Sequence, residues 1–152
     1  MSVERAPSAV LFACGLNRIR SPMAAGMMRR MMGARVYVDS CGLRADSEAL
    51  SDPFVAAVMD EVGIDMSDHV PKTFDELEDD SFDVIISLSP EAQHRAVEFA
   101  RARDVTLEYW PTMDPSLATG SRDQVLEAYR AVRDSLEIRL RARFSALRTF
   151  GG

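Results

Sequence analysis

Cys14-Gly15-Leu16-Asn17-Arg18-Ile19-Arg20-Ser21-Pro22 follows the apolar run Ala9-Val10-Leu11-Phe12-Ala13 and precedes a methionine-rich segment with helical spacing. A thiol is thereby placed where a strand gives way to a helix. Such a junction attracts oxyanions, because loop N–H groups turn inward as a nest and the helix presents unpaired N–H donors and its positive end. Arg20 can close the ring with a bidentate guanidinium. A field that holds an oxyanion also stabilises a thiolate, so Cys14 is expected to be a nucleophile at neutral pH. Ser21-Pro22 carries the residue types of a helix start, with Ser21 as N-cap and Pro22 in the first turn.

A carboxylate in Asp114-Pro115, roughly a hundred residues downstream, follows the last of the strand-like runs and could share a sheet edge with the thiol. The elements that must bring it to the cysteine can be read from periodicity. Ser8 to Ala13, Arg35 to Ser40, Phe82 to Leu88 and Val105 to Trp110 read as strands, being short, apolar or β-branched, and bounded by turn residues. Helical patterns alternate with them. The first runs from Pro22 to Met32 and stops at Gly33, with Met23, Ala24, Met27, Met28, Met31 and Met32 as core filler. A second starts at Asp52-Pro53 and ends at Gly63, and a third starts at Ser89-Pro90-Glu91. Thr73 and Glu76 form a capping box for a single turn beside the acidic stretch Asp75 to Asp80. Ser121 and Gln124 form another ahead of a long helix carrying Val125, Tyr129, Val132, Leu136, Leu140, Phe144 and Leu147.

Alternating strands and helices predict parallel strands joined by right-handed crossovers. The expected fold is a three-layer α/β sandwich with a four-stranded parallel sheet and the phosphate-binding loop between the first strand and the first helix. Ligands of such sheets bind beyond the carboxyl ends of the strands. Cys14 follows the first strand and Asp114 the fourth, so both are expected at that edge.

With 152 residues, 47% of them hydrophobic, the chain suits one domain spanning residues 1–152. Met1-Ser2-Val3-Glu4-Arg5 has no signal-peptide character, and no apolar run is long enough to cross a bilayer, so a cytoplasmic location is expected. Cys14 and Cys41 are too few for a disulfide scaffold and share no metal-ligand spacing with His69 or His94. A net charge of −6 argues against nucleic-acid or membrane-surface partners and favours a compact phosphorylated substrate or small oxyanion at a locally basic mouth.

These motifs resemble the low-molecular-weight protein tyrosine phosphatases and the arsenate reductases of the same fold. The shared signature is an apolar strand, Cys, five residues, Arg-Ser-Pro, and a distant Asp-Pro, matched here by Cys14, Arg20-Ser21-Pro22 and Asp114-Pro115. The resemblance implies a phosphomonoester hydrolase that needs no metal or other cofactor. In it, Cys14 forms a cysteinyl-phosphate, Arg20 and the loop residues Gly15, Leu16, Asn17, Arg18, Ile19 and Ser21 hold the phosphate oxygens, and Asp114 protonates the leaving oxygen. The Ser21 hydroxyl would also steady the thiolate. Asn17 is suited to a left-handed conformation. The family fixes that asparagine through positions matched by Ser40 and His69, which makes His69 a scaffold, while His94 is uninvolved.

Several positions depart from the family pattern. Ser116, Leu117 and Ala118 replace the aromatic residues usual after Asp-Pro, Ile19 replaces a frequent second cysteine, and Gly15-Leu16 inverts the usual order. Arg18 stands where tyrosine-specific members carry an apolar side chain, which suggests small or acidic phosphorylated substrates, or an oxyanion such as arsenate. Arsenate reductase is therefore an alternative. The resolving cysteine pair of the thioredoxin-coupled reductases is missing from Ser87 to Glu98, although a Cys14–Cys41 bridge is conceivable for Cα atoms within about 7 Å. A non-catalytic phosphate or phosphoprotein binding module is the remaining alternative.

Overall fold

A computed structural model describes residues 7–46 and 51–150, with side chains through Phe144. Met1–Arg5 and the side chain of Leu147 lie outside the described residues. Four parallel strands run in the order β2-β1-β3-β4, with β1 Ala9–Cys14, β2 Tyr37–Gly42, β3 Val84–Ser87 and β4 Thr106–Tyr109. The helices between them are α1 Arg20–Met32, α2 Pro53–Asp60, α3 Pro90–Ala100 and α4 Arg122–Phe150. Single turns of tight helix cover Gly33–Arg35, Phe74–Glu76 and Pro115–Leu117. This is the expected three-layer α/β architecture. Among the described residues, no helix is long and apolar enough to cross a membrane.

The central strand explains the layering. β1 is buried along its whole length, and strand alternation sends Val10, Phe12 and Cys14 to the face covered by α1 and α4. Leu11 and Ala13 go to the opposite face, where Ile85, Phe74, Ala92 and Phe99 pack. Each fully buried side chain such as Phe12 or Leu11 contributes roughly 1.5–3 kcal/mol relative to exposure. The α1 methionines Met23, Met28 and Met32 are core, as their spacing indicated.

Helix starts follow the sequence in three cases. Asp52 Oδ1 accepts from Phe54 N at 2.9 Å and Val55 N at 3.1 Å, with Pro53 next in line. Ser89 Oγ accepts from Ala92 N at 3.2 Å, and Ser121 and Gln124 bond each other's backbone N–H reciprocally. The start of α1 differs. The helix begins at Arg20, so Ser21 lies inside its first turn and is not an N-cap; the cap position is Ile19, with no side-chain cap bond. Ser21 is diverted to the thiol, and the N–H groups of Arg20 and Ser21 receive no side-chain cap.

Element ends differ elsewhere for local reasons. β2 starts at Tyr37 because Gly33–Arg35 is a turn, and it runs on through Cys41 to Gly42. α2 stops at Asp60, where Val62 N bonds Met59 O at 3.1 Å, Gly63 N bonds Asp60 O at 2.9 Å and Gly63 takes φ +78°.

The end of α2 is tied to α4 by charge. Buried Arg133 donates from Nη1 to Val58 O and to Glu61 Oε1, both at 2.7 Å, and Arg130 Nη2 donates to Glu61 Oε2 at 2.8 Å. Hydrogen bonds first from Arg130 and then from Arg133 hold the Glu61 carboxyl down to about 2. A carboxyl lowered by folding stabilises the native state above its unfolded value of about 4.3, and that contribution is lost as pH falls toward the native value. Glu61→Gln should therefore lower the Tm at pH 7, with the gap to the parent closing near pH 2 and narrowing in high salt. A gap independent of pH would refute this account.

Candidate active site

The loop after β1 is built around Asn17, whose side chain is fully buried and whose φ of +56° lies in the left-handed region. Its polar atoms are all engaged. Nδ2 donates to Ser21 Oγ and to Ser40 Oγ, both at 2.9 Å, while Oδ1 accepts from Lys72 N at 3.0 Å. The Lys72 N–H fixes which amide atom is oxygen. The Asn17 carbonyl lies 2.7 Å from His69 Nε2, so that nitrogen carries the proton. Burial, the dominant cause, lowers the His69 pKa below its ordinary value and favours the neutral ring at pH 7.

Ser21 completes a directional chain. Its Oγ accepts from Asn17 Nδ2 and lies 2.9 Å from Cys14 Sγ and 3.4 Å from Cys41 O, so it can donate its proton to a Cys14 thiolate. Cys14 is 2% exposed, at the foot of the loop. From the far side the loop rests on the end of β2. Leu43 N and Arg44 N donate to Gly15 O at 2.9 and 3.2 Å, and a Cβ on Gly42 would stand 2.8 Å from Asn17 N and 2.9 Å from Gly15 O. Glycine is required there by close backbone approach.

Two anchoring residues carry no motif. Asp39 is buried beside Ser40, and its Oδ1 accepts from Ser40 N at 2.8 Å and from Lys72 Nζ at 2.6 Å. Lys72 thus clamps the segment whose N–H holds Asn17. The available signal was a carboxylate between Val38 and Ser40 in a buried strand, a position that demands a cation.

The remaining site candidates converge on a cleft of about 120 Å³ at the carboxyl edge, lined by Cys14, Leu16, Arg18, Arg20, Asp52 and Asp114. Gly15, Ile19 and Ser116 also reach it. Arg20 Nη1 donates to Thr112 O at 2.9 Å, which ties the loop to the segment carrying Asp114. Asp114 caps the turn Pro115–Leu117, with Oδ1 accepting from Ser116 N at 2.9 Å and Ser116 Oγ at 2.7 Å. Arg18 is half-buried, and its Nε is enclosed with no hydrogen-bond partner. Sequence reasoning missed Asp52 as a cleft residue, since as a helix cap it already had a use. His94 lies exposed on α3, paired with Glu98 at 3.7 Å.

The conceivable Cys14–Cys41 bridge is not compatible with the sheet. Cys41 pairs in register with Ala13, and the two thiols sit in the cores on opposite faces. Burial, its largest cause, pushes the Cys41 thiol pKa strongly up.

The sequence matches the family described as low molecular weight phosphotyrosine protein phosphatase over residues 9–149. The chain belongs to this family. A glutaredoxin arsenate reductase from Synechocystis sp. is 31% identical over 131 residues, covering 86% of this chain and 92% of the relative. Among solved structures, the YwlE arginine phosphatase from Geobacillus stearothermophilus superposes with a TM-score of 0.78 at 26% identity, covering 94% of each chain. An arsenate reductase in the phosphate binding state superposes with a TM-score of 0.69 at 29% identity, covering 91% of this chain and 97% of the other. The phosphatase family and its arsenate reductase branch are thus both represented among the relatives.

Within this family fold, Gly42 tests the loop's support. Gly42→Ala should cost about 1–3 kcal/mol in denaturant unfolding and shift the backbone amide resonances of Gly15 to Asn17, because the added methyl meets main chain that cannot move aside. Unchanged stability and resonances would show that the loop does not depend on this contact.

Proposed function

We propose that the chain is a phosphomonoester hydrolase working through a cysteinyl-phosphate on Cys14. The observation that carries this reading is the convergence of Cys14, Arg20 and Asp114 on one cleft, with the Ser21 hydroxyl 2.9 Å from the sulfur. The Cys14 thiolate attacks phosphorus and the bond to the leaving oxygen breaks. Arg20 and the loop N–H groups stabilise the charge on the equatorial oxygens. Asp114 gives its proton to the leaving oxygen; with both Ser116 donors on Oδ1, Oδ2 is the oxygen left to carry that proton. The resulting carboxylate takes a proton from the water that attacks phosphorus. The sulfur–phosphorus bond then breaks, returning the thiolate and releasing phosphate. Ser21 and Asn17 act as positioning residues, with Ser40 and His69 behind them.

Reduction of arsenate is the second reading, favoured by the relative from Synechocystis sp.. Bringing arsenic from the +5 to the +3 state takes two electrons. Attack of Cys14 on arsenate expels water and forms a sulfur–arsenic bond, and attack of a second thiol on that sulfur forms a disulfide and releases arsenite. The sequence holds only two cysteines, and Cys41 lies across the sheet. The second thiol would therefore come from outside this chain, as from glutathione.

Assays of p-nitrophenyl phosphate and phenyl phosphate hydrolysis, with arsenate-dependent glutathione oxidation in parallel, separate these readings. Ester hydrolysis is expected, abolished in Cys14→Ser. Asp114→Asn should lower kcat about 10²–10³-fold on phenyl phosphate and less on the better p-nitrophenyl leaving group. Arsenate-dependent thiol oxidation without ester hydrolysis would replace the phosphatase with the reductase. Phosphate binding with neither activity would leave a binding module.

A further inference from the structure

We infer that Arg18 is a second anion-recognition residue of the Cys14 cleft, and that it selects phosphate esters bearing a further negative group close to the phosphorus. This deepens the hydrolase reading by naming its substrate class. The argument begins with what the loop leaves over. On the hydrolase reading the loop main-chain N–H groups and Arg20 serve the phosphorus position, and Arg20 also spends Nη1 on Thr112 O. Arg18 is the other guanidinium lining this cleft.

Its surroundings fix where that charge can lie. Arg18 and Asp52 line both the cleft and a smaller cavity bounded also by Val55, Met66, His69 and Pro71. Arg18 Nε is enclosed there without a partner, which leaves the terminal nitrogens as its donors toward a ligand. Asp52 is a rigid neighbour. Only 9% exposed, it accepts two main-chain N–H groups on Oδ1 and the Tyr129 hydroxyl on Oδ2 at 3.3 Å. Burial first, then Asp52, pushes the Tyr129 phenol up to about 12, so the hydroxyl remains a donor throughout the physiological range. Asp52 lines the same wall as Arg18, with both its oxygens committed to the start of α2 and to Tyr129.

Chemistry around the mouth agrees. The wall beside Asp114 is Ser116, whose hydroxyl is taken by Asp114, so no ring is offered there for an aryl group to stack on. A body of net charge −6 repels anions at long range, so any preference for extra negative charge must come from short-range contact. A half-buried guanidinium is screened less than an exposed one and supplies that contact. Two sources carry the required chemistry: a small ester with its own carboxylate, or a phosphorylated residue flanked by acidic side chains.

Calorimetry on the full chain carrying Cys14→Ser tests the inference without turnover. One arm compares 2-phosphoglycolate with ethyl phosphate; the other compares phosphotyrosyl peptides flanked by Asp with the same peptides flanked by Asn. The acidic member of at least one pair should bind about tenfold more tightly, the scale of one charge-assisted hydrogen bond. That preference should fall to about twofold or less with Arg18→Ala and persist in part with Arg18→Lys, at unchanged circular dichroism. Arg18→Gln, which keeps the stem, replaces Arg18→Ala if the latter does not fold. Preference in the first arm alone assigns a small ester, and in the second alone a protein substrate. Equal binding in both pairs, or a preference that survives loss of the Arg18 charge, overturns the inference. Aryl phosphate turnover by the parent is scored separately: turnover without preference sinks only this inference, and preference without turnover sinks only the hydrolase reading.

Discussion

Everything at the carboxyl edge depends on one side chain being unable to move. Asn17 holds a left-handed backbone in the middle of the loop, a conformation that costs energy for any residue but glycine. Four hydrogen bonds offset that cost, from Ser21, Ser40, Lys72 and His69. They reach three separate stretches of the chain, His69 and Lys72 lying on one of them. Because the site is buried, each unmade bond would leave a desolvated polar group, so the network is complete or strongly penalised. The same network aims the Ser21 hydroxyl at the Cys14 sulfur, which makes loop geometry and sulfur chemistry one constraint.

That constraint reaches outward through charge. Lys72 touches Asn17 only through its main chain, yet its ammonium is tied to buried Asp39, next to Ser40. One ion pair therefore fixes the two strands of chain that grip Asn17 from either side. A second set of charges, Glu61 with Arg130 and Arg133, fixes the end of α2 against α4. The start of α2 presents Asp52 to the cleft, where Tyr129 of α4 meets it. The wall of the cleft thus inherits its rigidity from helix packing well away from the sulfur.

The parallel sheet also decides what the two cysteines can do together. Neighbouring positions on adjacent strands point to opposite faces when they differ by one residue in register, and Cys14 and Cys41 differ in that way. A chain of this family using its own second thiol would need one on the Cys14 side. Strand alternation therefore separates Cys14 from the chain's other thiol and leaves a thiol from outside the chain unaffected.

From the sequence alone came the alternation of elements, the parallel sheet, the caps at Asp52, Ser89 and Ser121, and the placing of Cys14 and Asp114 at one edge. These are legible because periodicity and capping are local, and because strand direction is fixed once helices intervene. Ser21 was misplaced as a cap because a serine before proline has the same local signature whether it bonds the backbone or a distant sulfur. Asp39, Lys72, Asp52 and Tyr129 acquired their positions in the site only through the tertiary structure. Their partners lie tens of residues away in the chain, and no local pattern records which buried carboxylate will meet which cation once the layers close.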